Sequence, residues 1–221
     1  MGEIFGLITP LLLHMMVSEL AVALLGSYLD PAACTTIASL LVIPAAFMMY
    51  RKDCGRISSE AGRRQSKRGF LQGEQTECSK GRLLCFGVFC FIAGGVLNIL
   101  WSGLLNAMHI PDYFSNQTQE ALLAGEMLLQ VIGLGILVPV AEELVFRGLI
   151  YKRMKRFFSV RISVLLSAAL FAVYHGNPIQ MIFAFPMAIA LAAVFEHGKL
   201  FIFPVLFHMG ANLTAVFLNF L

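Results

Sequence analysis

The chain has 221 residues, of which 58% are hydrophobic and only 13% charged, with a mean hydropathy of +0.79. A water-soluble domain carries about a quarter charged residues, and a single domain of this size has too little interior to hide so much apolar surface; a soluble globular fold is excluded and lipid is the expected solvent. The net charge is +3, but its placement says more: nine of the sixteen Lys and Arg lie between Arg51 and Arg82, six between Arg147 and Arg161, and the last is Lys199, a membrane-topology pattern and not a nucleic-acid footprint.

Apolar runs near the ~20 residues that a crossing helix needs fall at 4–29, 34–50, 83–108, 121–146, 162–175, 178–195 and 200–220. They predict an all-α, polytopic transmembrane helix bundle of about seven spans. Residues 1–50 read as an N-terminal pair of helices, with Asp30-Pro31 as their turn. Residues 51–82, rich in Gly, Ser, Lys and Arg and without helical or strand periodicity, read as a flexible basic cytoplasmic loop. Residues 83–221 supply the remaining helices, with the functional core at about 120–221. The start Met1-Gly2-Glu3 lacks the basic region of a cleavable signal. Five cysteines, an odd number with no C-x-x-C spacing, do not suggest a disulfide framework. The basic segments at 51–82, 147–161 and 196–199 place one set of loops in the cytoplasm. The loops at 30–33 and 109–120, acidic through Asp30, Asp112 and Glu120, face out. The N-terminus is then cytoplasmic and the C-terminus outside.

Ionisable groups inside a span are costly and mark function by default. Glu142, Glu143 and Arg147 sit at the end of the fourth span. Glu143 and Arg147 are at i, i+4 and share a helix face, while Glu142 points about 100° away. One carboxylate can pair with Arg147 and leave the other for acid–base chemistry; the alternative is a helix end entering the interface, where these charges are harmless. Phe171-Ala172-Val173-Tyr174-His175 runs into Gly176-Asn177-Pro178, a strong helix stop, and broken backbone at membrane depth is tolerated only where it packs in protein or lines a cavity. His208 and Asn212, again i, i+4, share one face of the last span. At ~1.5 Å rise per residue, Glu142 lies ~15 Å from Lys152, His175 ~21 Å from Arg161 and His208 ~14 Å from Lys199, which brings them to a similar depth. His14 and Glu19 in the first span read as packing groups, with Glu19 also open to Arg147 as a partner.

Glu-Glu-x-x-x-Arg, Phe-x-x-x-His and His-x-x-x-Asn on successive helices resemble the CPBP family of CAAX prenyl proteases and bacteriocin-processing or immunity (Abi-type) membrane proteins. The resemblance covers about residues 120–220 and implies a metal-independent intramembrane glutamate protease. Carried over, Glu142 with His175 activates a water, His208 and Asn212 stabilise the oxyanion, and Arg147 and Phe171 position the helices. Glu143 is either a positioning residue or a further catalytic one. No cofactor is implied. A zinc, if one were used, would take Glu142, His175 and His208 as a His/His/Glu set.

No His-Glu-x-x-His, Gly-x-Ser-Gly or Gly-Asp pair offers another intramembrane protease chemistry. The expected partners are the lipid bilayer and a peptide or prenylated protein substrate, with no nucleic acid, in a membrane that reads as a prokaryotic plasma membrane. Two other functions fit the same buried polar residues: a non-catalytic immunity or partner protein, and a proton-coupled transporter.

Overall fold

The computed structural model describes residues 2–65, 80–114 and 116–221. Every regular element among them is helical: α1 (Gly2–Leu25), α2 (Pro31–Gln65), α3 (Lys80–Ala107), a 3-10 turn (Ile110–Tyr113), α4 (Gln117–Leu122), α5 (Met127–Met154), α6 (Val160–Tyr174), α7 (Pro178–Gly198) and α8 (Ile202–Asn219). Six of them are long and apolar enough to cross a membrane, and α6 is a shorter apolar helix of 15 residues. At 1.5 Å per residue α6 spans about 22 Å, short of a ~30 Å hydrocarbon core. The protein is a multi-pass helical membrane bundle.

Two boundaries differ from the sequence reading. The expected loop at 51–82 is helical as far as Gln65, and α3 begins at Lys80; residues 66–79 lie outside the described residues. Arg51–Gln65 carries two Gly and two Ser but also four Arg with single Lys, Ala, Glu and Gln, which are good helix formers, and extending an existing helix needs no new nucleus. The fourth span also runs later than expected, from Met127 to Met154 instead of 121–146. Its start is set by the turn at Gly125, where Gln130 Nε2 donates to the carbonyls of Leu123 at 2.9 Å and Gly125 at 2.6 Å.

α5 is the central helix. Its apolar window is 56% buried, twice the 28% of α1 and α3. Leu144, Val145, Phe146, Leu149 and Ile150 pack against Leu7 and Leu11 of α1, Val42 and Ala46 of α2, Phe171 of α6 and Ala188 of α7. Helix α8 lies against α3 on its other side, in a seam so close that no side chain separates the backbones. A Cβ on Gly94 would fall 1.8 Å from the Phe207 carbonyl oxygen, and one on Gly210 would fall 1.9 Å from that of Phe91. Small residues are what lets membrane helices approach this closely. At the basic end of the bundle, Arg153 of α5 bonds Asp53 of α2 at 2.7 Å, and Glu196 of α7 receives Lys155, Tyr151 and Lys199.

Candidate active site

Helix α5 is wound unevenly. Gln130–Leu137 and Leu144–Tyr151 are π-helical, and the α-helical turn Val138–Glu143 between them carries both carboxylates. Wide turns of this kind recur at functional sites. In the first, the Val138 N–H reaches back five residues to the Gly133 carbonyl. The next donor in that register is residue 139, which is Pro and has no N–H, so the Leu134 carbonyl loses its partner. Asn212 of α8 supplies it, with Nδ2 donating to Leu134 O at 2.9 Å. One face of α8 is thereby fixed against α5, and Nδ2 keeps a second hydrogen for other use.

One turn earlier on the same face, His208 enters between the carboxylates. Its Nδ1 donates to Glu143 Oε1 at 2.9 Å, and its Nε2 lies 3.7 Å from Glu142 Oε2. Arg147 Nη1 donates to the same Glu143 oxygen at 2.9 Å, as the i, i+4 spacing predicts. Arg147 is buried, 1% exposed, with Nη2 on the Ala188 carbonyl at 3.1 Å and its guanidinium 4.5 Å from the centre of the Phe171 ring. It lies nearly two turns before the end of α5, packed inside the bundle and not at the helix end. Its charge offsets one carboxylate. The remaining trio of Glu142, Glu143 and His208 can hold a proton and pass it on. Glu19 is exposed on α1, and the carboxylate bound to Arg147 is Glu143.

The sequence reading pairs Glu142 with His175; in the structure the imidazole beside Glu142 is that of His208. His175 closes α6. The chain tightens there, with the His175 N–H on the Ala172 carbonyl, which frees the Phe171 carbonyl one turn back. The side chain takes its place, Nδ1 donating to Phe171 O at 2.8 Å. A carbonyl only accepts, so Nδ1 carries the proton and Nε2 of the neutral ring is left as an acceptor, the form a base needs. The turn that follows uses Gly176 at φ +68°, a left-handed conformation that glycine adopts at little cost. Asn177 then caps α7, its side chain accepting from the Ile179 N–H.

His175 and His208 meet across a cavity of about 60 Å³ between α6, α7 and α8, lined also by Asn212 and by Phe171, Phe183, Met187 and Leu191. A water molecule needs some 10–15 Å³ of such space, so the cavity has room for a few waters beside two imidazoles and an amide. Phe171 joins the histidines, its ring centre 4.9 Å from that of His175 and 5.9 Å from that of His208.

Residues 124–214 match the family described as type II CAAX prenyl endopeptidase Rce1-like. The matched region is about two-fifths of the chain and contains Glu142, Glu143, Arg147, Phe171, His175, His208 and Asn212. No curated protein and no solved structure matches the chain significantly. A membrane bundle with a buried cluster of His208, Glu142 and Glu143, inside a region matching a protease family, is consistent with a protease-type site. Among the described residues, no group of three or more His, Cys, Asp or Glu is arranged to hold a metal ion, so the alternative set of Glu142, His175 and His208 is not assembled as ligands.

Outside the matched region, α1 brings in a residue that the sequence reading assigned to packing. His14 is 3% exposed and stacks on Tyr174 with ring centres 5.0 Å apart. Its signal in the sequence was that of any imidazole in an apolar span, with nothing nearby to show which helix it faces.

Proposed function

We propose that the protein is a membrane-embedded endopeptidase that hydrolyses a peptide bond without a metal. The observation that carries this reading is the His208 imidazole held between Glu142 and Glu143, beside a cavity that His175 also lines. In the proposed reaction a water attacks the scissile carbonyl carbon while Glu142 takes up its proton, with His175 Nε2 accepting a hydrogen bond from the same water. The C=O electrons move onto oxygen, and the second N–H of Asn212 and the Nε2–H of a doubly protonated His208 ring stabilise that charge, which donors in a low-dielectric site do strongly. Collapse of the intermediate breaks the C–N bond, and the stored proton goes to the leaving amine. Arg147 and Phe171 hold the carboxylates and imidazoles in register, with Glu143 bonded to both Arg147 and His208.

The apolar walls Phe171, Phe183, Met187 and Leu191 support a substrate presented from the lipid, either a peptide or a prenylated protein end. The acidic turn at Asp30 and Glu126 and the basic ends of α5 and α7 support a cytoplasmic N-terminus and an external C-terminus.

The test is cleavage of prenylated and unprenylated peptides by purified protein in nanodiscs. Wild type is expected to cut, and Glu142→Gln and His175→Ala to lose about a hundred-fold or more in kcat while remaining folded. Full cleavage by both variants would overturn the assignment. Inhibition by a chelator with recovery on adding zinc would overturn its metal-free form.

A further inference from the structure

The polar cluster of α5, α6 and α8 has a tie to α1, which lies outside the region matching the protease family. Tyr174 is the last residue of α6, immediately before His175 and the break at Gly176. Its hydroxyl meets His14 Nε2 at 3.3 Å, and Ser18, one turn along α1, reaches the same hydroxyl. With Tyr174 donating to Nε2, the ring proton of His14 lies on Nδ1, a buried atom with no partner among the described residues. His14 is also close enough to Glu142 and His175 to share their electrostatic field.

Tyr174 contacts the ring of His175 edge-on at 5.6 Å and tilts against Phe146 at 5.6 Å. The backbone around His175 is held by two 3-10-type bonds, His175 N–H to Ala172 O and Gly176 N–H to Val173 O, each 3.1 Å. The side-chain tether at Tyr174 adds a lateral hold to α1, beside the packing of Phe146 on Phe171 and Tyr174.

We propose that His14 is a positioning residue for the site: through Tyr174 it anchors the broken end of α6 to α1 and so sets where His175 stands. The role of His175 in this statement rests on the proposed proteolytic function; the tether itself does not. A catalytic imidazole displaced by a fraction of an ångström loses rate and not substrate affinity.

The experiment compares wild type with His14→Phe, which keeps the stacked ring and removes the hydrogen bond, with Tyr174→Phe, with the double variant, and with His14→Gln, which keeps an acceptor for the phenol. Each purified protein is treated with diethyl pyrocarbonate, and the modification of His175 is measured by mass spectrometry against that of His109, which is exposed in the outer turn. The His175/His109 ratio is expected to rise about three-fold in both Phe variants as the helix end loosens. It should rise no further in the double variant and return towards wild type in His14→Gln. Where the wild type cleaves peptide, kcat should fall about ten-fold in the Phe variants with KM unchanged. An unchanged ratio in His14→Phe and Tyr174→Phe overturns the proposal, whatever happens to cleavage. A wild type that cuts no peptide overturns the proteolytic reading instead, and the modification ratio still decides the tether. If His14→Phe does not fold, Tyr174→Phe alone carries the decision.

Discussion

Helix α8 has two faces held by opposite means. Towards α3 it is held by the absence of side chains: Gly210 and Gly94 bring backbone against backbone, with carbonyl oxygens where a Cβ would be. Towards α5 it is held by polar bonds, His208 to Glu143 and Asn212 to the Leu134 carbonyl. The first face cannot shift without a clash. If the site passes protons as proposed, its geometry gains from this division: the close seam fixes one face of the helix and leaves the polar face for the reaction.

The largest expected effect comes from the dry face. Gly210→Leu drives a side chain into the Phe91 carbonyl, a backbone atom that cannot rotate away. The cost is expected at about 3 kcal/mol or more, read as loss of a monodisperse, cooperatively melting protein in detergent. On the wet face, Arg147→Leu leaves the buried Glu143 carboxylate without its cation, and breaking a buried pair this way costs roughly 3–5 kcal/mol. The same melt should show it, and adding Glu143→Gln should recover part of the loss. Asn212→Ala should cost less, about 1–3 kcal/mol for one unsatisfied buried carbonyl, with hydrogen exchange rising locally around Leu134. Smallest of all is Gly103→Ala in α3, where a Cβ meets nothing within 4 Å. Removing a glycine from a helix interior there should leave stability unchanged or raise it by up to about 1 kcal/mol. If Gly103→Ala destabilises as much as Gly210→Leu, close approach is not what distinguishes the α3 seam.

The residues of the candidate site were legible in the sequence, and some of their relations were too. The Glu143–Arg147 pair follows from i, i+4 spacing, and the helix stop after His175 follows from Gly-Asn-Pro. The pairing of His208 with both carboxylates was not legible. It depends on the rotation of α8 about its own axis, which Gly210 and Gly94 set by fixing one face against α3. Nor was the burial of Arg147, because α5 continues to Met154 instead of ending near Phe146.

Hydropathy runs, charge placement and motif spacing are local quantities, and by themselves they determined a multi-pass helical membrane protein with its polar residues on the fourth, fifth and seventh spans. Tertiary structure alone decided which imidazole meets which carboxylate, the winding of α5 on either side of Glu142 and Glu143, and the arrival of His14 at Tyr174 from 160 residues away in the chain. The physical reason is that a helix period fixes which residues share a face, whereas only packing between helices fixes what that face meets.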